Sequence, residues 1–446
     1  MGIWKTIFTR ISLLVLLTLW VSPASAEALR IDIRKSGLEP MPIAIPYFAS
    51  LAPGGVTREP DSFSQQLTRV VIADLRRSGL FDPLRNKSFL QSSAKLWTQG
   101  PDFRQWRLVG AEAVVQGAVF RQGDRVRVDF FLHDIYRGKL IGKGWRFTTT
   151  LDNWRHVAHR VSDEIYKRLT GEQGYFTSRI AFVAKRGKRK WLALMDADGA
   201  NRLDLQVKDR NDLVLTPRFS PDGEKLFYLS YETGEPRIFR WDLYSGKRFK
   251  RSNFPGLNST PAWSPDGKQM ALTLSKDGNA EIYLMGLDNR SLKRLTRNSA
   301  IDTSPSWSPD GRKLVFTSDR SGSAQLYVMD RDGRNVKRIT FEGKNNTAPT
   351  WSPRGDKIAF VRGGGGKFRI GVVDADGKNP RMLTNSWMDE SPSWSPNGRV
   401  ILFSRQKRNS DSTQLYTIDI SGYNEQRLHT GDDIAASDPS WSPLVK

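Results

Sequence analysis

The chain has 446 residues, 38% of them hydrophobic and 11% aromatic, which allows two or three domains with substantial cores and excludes wholesale disorder. The absence of cysteine excludes disulfides, thiolate catalysis and cysteine-ligated metals. The formal charge of +22 is spread over the chain rather than gathered into an arm, which argues against a nucleic-acid binder and for a generally basic surface.

Residues 1–26 read as a secretory signal. Lys5 and Arg10 are their only charges, residues 11–21 are an apolar run, and Ala24-Ser25-Ala26 has the small-x-small pattern of a cleavage site. Cleavage after Ala26 leaves Glu27 as the first mature residue. No cysteine follows the cut, so no lipid anchor is expected. The expected compartment is the bacterial periplasm, and the expected form a monomer.

Residues 27–172 form the first domain, an α/β unit. Glu27, Ala28, Leu29, Arg30, Ile31, Asp32 and Ile33 alternate apolar and polar, as a terminal strand or a strand-forming tail would. Residues 42–48 alternate like a strand. Residues 62–78 read as a helix capped by Asp61 and stopped by Gly79, and residues 101–108 as a second helix. Residues 113–120, 125–136 and 139–149 read as a three-stranded meander. A last amphipathic helix over 153–169 starts behind Asp152 and ends at Gly171. Residues 173–177 are the linker.

From residue 178 the chain repeats. Phe219, Trp263, Trp307, Trp351, Trp394 and Trp441 lead one phrase, of the form P-x-W-S-P-D-G, at intervals of 44, 44, 44, 43 and 47 residues. In the unit at Pro305, residues 305–307, 313–318, 325–330 and 337–340 read as four strands. The S-P-D-G between the first two has proline second and glycine fourth, as a type I turn prefers. Four antiparallel strands per period of this length make a propeller blade. The final unit holds one strand, and residues 179–184, 190–196 and 201–205 supply its other three. The expectation is an all-β six-bladed propeller over 178–446, with five whole blades and one shared between 178–215 and 439–446. Such closure removes the open sheet edge. The tryptophans are read as wedges between blades.

Each link runs from an outermost strand to the next innermost one, so it ends beside the central channel. These ends are polar: Asn258, Ser259 and Thr260; Asp302 and Thr303; Asn345, Asn346 and Thr347; Asp389 and Glu390; and Asp438. They predict a binding ring on the face opposite the S-P-D-G turns, although such residues also cap turns for purely local reasons. Lys185–Lys190 projects on the same face.

No catalytic pattern emerges. His156 and His159 lie three apart on one helix, but no acidic third ligand stands at a familiar spacing, so neither metal nor cofactor is expected. His133 and His429 are isolated, and Gly363–Gly366 reads as a hairpin loop. A carboxylate pair across the channel is left open.

The whole arrangement resembles the TolB family, periplasmic proteins of the Tol–Pal system. The more telling stretches are TPRFSPDG from Thr216, LSKDG from Leu274, IYLMGLD from Ile282, ITFEG from Ile339 and MDESPS from Met388. The resemblance implies a non-enzymatic adaptor. It implies binding of the lipoprotein Pal at the propeller mouth, with Leu257, Thr260 and Thr303 among the contacts, and binding of TolA by the tail Glu27–Ile33. It also implies roles in outer-membrane integrity and in cell division. Leu257 stands where the family often has a polar residue, and Gly256 where it has a basic one. The alternative is another periplasmic propeller, binding a sugar or peptide or carrying a hydrolase site in its channel.

Overall fold

The computed structural model describes residues 29–31, 39–205, 213–288, 291–408, 410 and 412–444. The secretory signal, and Glu27, Ala28, Asp32 and Ile33 of the tail, lie outside the described residues.

The first domain is a mixed sheet between two helical layers. Its central strand, Ala113–Gln122, runs parallel to Met41–Ala44 and Ala49–Ala52 and antiparallel to Arg125–Asp134. Alternation puts Ile43 and Val115 on one face and Ala44 and Val114 on the other. The first face packs against helices α1 (Ser62–Arg77) and α4 (Trp154–Thr170) through Leu67, Val71, Val161 and Ile165. The second packs against α2 (Ser93–Gln99) and α3 (Phe103–Leu108) through Leu96 and Trp106.

The departures from the sequence reading have local causes. The strand expected over 42–48 stops at Ala44 and resumes at Ala49. Pro46 has no N–H to offer a ladder, and side chains take over the neighbouring backbone groups. Asn86 accepts from the Tyr47 N–H at 3.0 Å, and Thr68 Oγ1 from the Phe48 N–H at 2.9 Å. Helix α2 was not anticipated. Asp102 shortens the next helix by capping it at Arg104 and Gln105. The third meander strand splits into Lys139–Leu140 and Trp145–Thr150. Asp152 falls in a 3-10 turn, and α4 begins without a side-chain cap.

The second domain is a β-propeller. Four separate four-stranded antiparallel sheets are followed by one eight-stranded sheet over 345–428. The C-terminal strand Ala435–Trp441 pairs with Arg179–Arg186 and so joins the end of the chain to the start of the propeller. The repeated S-P-D-G phrase folds one way wherever it occurs. Ser308 Oγ donates to Asp310 at 2.6 Å and accepts from the Lys313 N–H at 2.9 Å, pinning turn to strand. Gly311, at φ 67°, supplies the left-handed residue that the turn needs. The tryptophans wedge between neighbours: Trp307 Nε1 donates to Ala262 O at 3.1 Å, and Trp394 Nε1 to Thr350 O at 2.9 Å.

The two domains meet on the face of the S-P-D-G and Asp-Gly turns. Arg354 pairs with Glu172 at 2.5 Å, Asn397 Nδ2 donates to Gln173 O at 3.0 Å, and Asn424 Nδ2 to Arg77 O at 2.9 Å. Gly79 has to be glycine here, because a Cβ would stand 2.5 Å from Asn424 Nδ2. The linker is packed: buried Asp163 of α4 accepts from the Phe176 N–H at 2.8 Å and the Thr177 hydroxyl at 2.7 Å. Burial, partly offset by these bonds, pushes its carboxyl up to about 6.

Candidate partner-binding face

The first domain lies on the turn face, and the links stand on the opposite one. Successive innermost strands read Asn258-Ser259-Thr260-Pro261, Asp302-Thr303-Ser304-Pro305, Asn346-Thr347-Ala348-Pro349 and Asp389-Glu390-Ser391-Pro392. Their equivalent residues share one environment.

The first position of each quartet is turned inward. Asn258, Asp302, Asn346 and Asp389 are all buried. Asn258 Nδ2 donates to Phe254 O at 2.7 Å and Gly256 O at 3.0 Å. Asp302 accepts from Arg320 at 2.7 Å and from Asn298 at 2.9 Å. Asn346 donates to Gln325 and Glu342 O and accepts from Arg362 at 3.0 Å. Asp389 takes two bonds from Arg405. The arginines also lie over aromatic rings of their own blades: Arg320 over Phe316, Arg362 over Phe360 and Arg405 over Phe403. Desolvation opposes the charge of Arg405, but Asp389 and Glu425 outweigh it and raise its pKa further. These four side chains are buried and bonded within the chain, and so shape the links.

The second position is accessible. Ser259, Thr303 and Thr347 are half-buried and Glu390 is exposed. Although Glu390 meets solvent, partial desolvation and then the Asp438 charge raise its pKa. The third position carries a bulge. Pairing with the next strand slips there in each of these blades, and Ser304, Ala348 and Ser391 stand at φ 54°, 48° and 56°. Thr216 and Asp438 repeat this at 47° and 48°. Non-glycine residues enter this region at a cost of about 1 kcal/mol or more. The bulge re-aims the strand, and Thr216, Ser304, Ala348 and Ser391 line a channel of about 490 Å³. Arg218 lies in the same wall; burial lowers its pKa and Asp438 partly offsets this.

Of the other expected residues, Leu257 is half-buried with its N–H on Ser275 Oγ at 2.8 Å, and Asn345 is exposed. The side chain of Thr260 lies outside the described residues. The Lys185–Lys190 hairpin stands at the link end, since Lys185 pairs with Ala435. Two residues escaped the sequence reading: Ile301, 53% exposed, and Phe341, 72% exposed, with Arg338 over its ring at 4.9 Å. Their only signal was an isolated apolar residue in an otherwise polar link.

The tail is visible in part. Leu29 and Ile31 pack against the core of the first domain, and the Ile31 N–H donates to Leu169 O, at the end of α4, at 2.7 Å. Among the described residues no helix is long and apolar enough to cross a membrane. His133 is held by Gln116 at 2.7 Å, and His429 is exposed.

Comparison with known proteins gives a consistent picture. A family model described as the TolB amino-terminal domain matches residues 29–141, and one described as the TolB beta propeller domain matches residues 166–445. A Tol-Pal system protein TolB from Paramagnetospirillum magneticum is 58% identical over 435 residues, covering 95% of each chain. The crystal structure of TolB from Acinetobacter baumannii superposes with a TM-score of 0.80 at 32% identity, over 93% of this chain and 100% of that one.

Proposed function

The chain belongs to the TolB family, and from that premise we propose that it is a non-enzymatic periplasmic adaptor that binds Pal at the link face and TolA through its N-terminal tail. In this role it sustains outer-membrane integrity and draws the outer membrane inward at division. The eight-stranded sheet counts as two blades, because its halves share a single residue pair, Phe368 with Met388, and six blades then surround the channel.

The observation that carries the reading is the division of the two faces. One is occupied by the first domain through Arg354, Asn397 and Asn424, while the other presents Ser259, Thr303, Thr347 and Glu390 around the channel with Ile301 and Phe341 among the links. A polar ring with a few apolar anchors suits a protein partner. Pal at the mouth and TolA at the tail are two sites on one molecule, so any coupling between them is reciprocal in affinity.

Titration with purified Pal tests the reading. Thr303→Trp and Thr347→Trp should abolish binding while leaving the melting temperature near that of the parent. Undiminished affinity in both variants would move the Pal site off this face.

A further inference from the structure

The junction between the domains holds a cluster that the adaptor role does not use. His159 of α4 is 3% exposed. Its Nδ1 lies 2.8 Å from Asp74 Oδ2, which also accepts the Ser162 hydroxyl at 2.7 Å. The other ring nitrogen, Nε2, is buried without a hydrogen-bond partner. It faces the Asp-Gly turn of the first propeller sheet, with Asp196 Oδ2 at 3.8 Å. Asp198 completes the group, and one ligand atom from each of His159, Asp196 and Asp198 lies within 4.8 Å of the others. A cleft opens onto His159 and Asp196, lined also by Asn153, Arg155, His156 and Thr177.

Two features point to a cation. An imidazole with one nitrogen fixed by a carboxylate and the other free is how metal-ligating histidines are held. Bonds of about 2.0 Å to a tetrahedral ion put ligand atoms roughly 3.3 Å apart, so small side-chain rotations would close the group. Arg155 now holds the two carboxylates, reaching Asp198 at 2.5 Å and Asp196 at 3.5 Å, in the place a metal ion would take.

We propose that His159, Asp196 and Asp198 form an inter-domain site for a divalent transition cation of the zinc type, which clamps the first domain to the propeller. One nitrogen and two carboxylates favour zinc over calcium or magnesium, which prefer oxygen alone. Binding places the ion against His159 Nε2 and frees Arg155 into the cleft. His156, which burial keeps inclined to the neutral form, lines the same cleft and is the candidate fourth ligand.

Calorimetric titration of the mature chain with zinc chloride is the test. The expected result is one ion per chain and a higher melting temperature. Asp198→Asn should weaken binding roughly tenfold or more. Arg155→Ala should tighten it by removing the competing cation, whereas a purely structural ion-pair cluster would lose stability and gain no affinity. The proposal is overturned if no saturable one-to-one binding appears up to roughly millimolar zinc, or if Asp198→Asn and His159→Gln bind as the parent does.

Discussion

Arg405 grips Asp389 through two parallel bonds, Nε to Oδ1 at 2.6 Å and Nη2 to Oδ2 at 2.9 Å, with the carboxylate fully buried. Tyr416 and Phe403 lie against the guanidinium, and Glu425 takes its outer edge. Asp302 with Arg320 and Asn346 with Arg362 repeat the clasp in the two preceding blades. A residue so enclosed fixes the course of its link, and its neighbour Glu390 meets the solvent.

The clasp and the ring should therefore separate by mutation. Arg405→Met leaves Asp389 charged, buried and unpaired, and should cost roughly 3–5 kcal/mol in urea unfolding. Glu390→Gln should stay within about 0.5 kcal/mol of the parent while altering Pal affinity. Equal costs for the two would erase the distinction between link-shaping and partner-facing positions.

Closure through the C-terminal strand makes a second prediction. Trp441 donates from Nε1 to Ser178 Oγ at 2.6 Å and receives Tyr175 edge-on, so it ties the chain end to the linker as well as to the first propeller strand. Trp441→Ala should lose about 3–5 kcal/mol, and removal of residues 435–446 should abolish cooperative melting. A truncated chain that melts as the parent does would refute closure as a source of stability.

Asp163 gives a pH signature. Its folded pKa, about 6, lies above the ordinary 3.8 because burial disfavours the charge. The folded state therefore holds a proton that the unfolded state has released. Its contribution to stability is full below the unfolded value and is lost as pH rises through about 6. The measured quantity is the stability of the parent minus that of Asp163→Asn, which cancels the other titrating groups. It should fall by roughly 1–3 kcal/mol between pH 4 and 7 and then level off. A difference that rises with pH would reverse the assignment.

What could be read in the sequence follows from range. The tryptophan spacing was legible because it repeats along the chain, and the S-P-D-G turns because each acts within a few residues: the Ser308 hydroxyl bonds Asp310 and Lys313. The direction of Asn258, Asp302, Asn346 and Asp389 was not legible. Strand alternation fails where a bulge intervenes, and the slip at Ser304 and its equivalents breaks the period of two. The arginines that hold Asp302, Asn346 and Asp389 inward also come from 16 to 18 positions away. Asp196 and Asp198 were invisible as partners of His159 for the same reason, since helix and turn belong to different domains. Helix α2 escaped because its seven residues are too few to show a periodicity.

The tail supplies the last prediction. If TolA engages residues 27–33, the contact of Ile31 with Leu169 O holds part of its target against the first domain. Affinity for TolA then scales with the fraction of molecules whose tail is free. A clean test leaves the tail sequence intact and loosens what it docks on. Gly171 ends α4 at φ 78°, and a Cβ there would meet Arg30 Nη1 at 3.5 Å. Gly171→Ala should strain the last turn by about 1 kcal/mol, speed amide exchange at Ile31 and raise TolA affinity several-fold, since about 1.4 kcal/mol corresponds to tenfold. Faster exchange with unchanged affinity would show that docking of Ile31 does not gate TolA, and the relay between mouth and tail would have to run elsewhere.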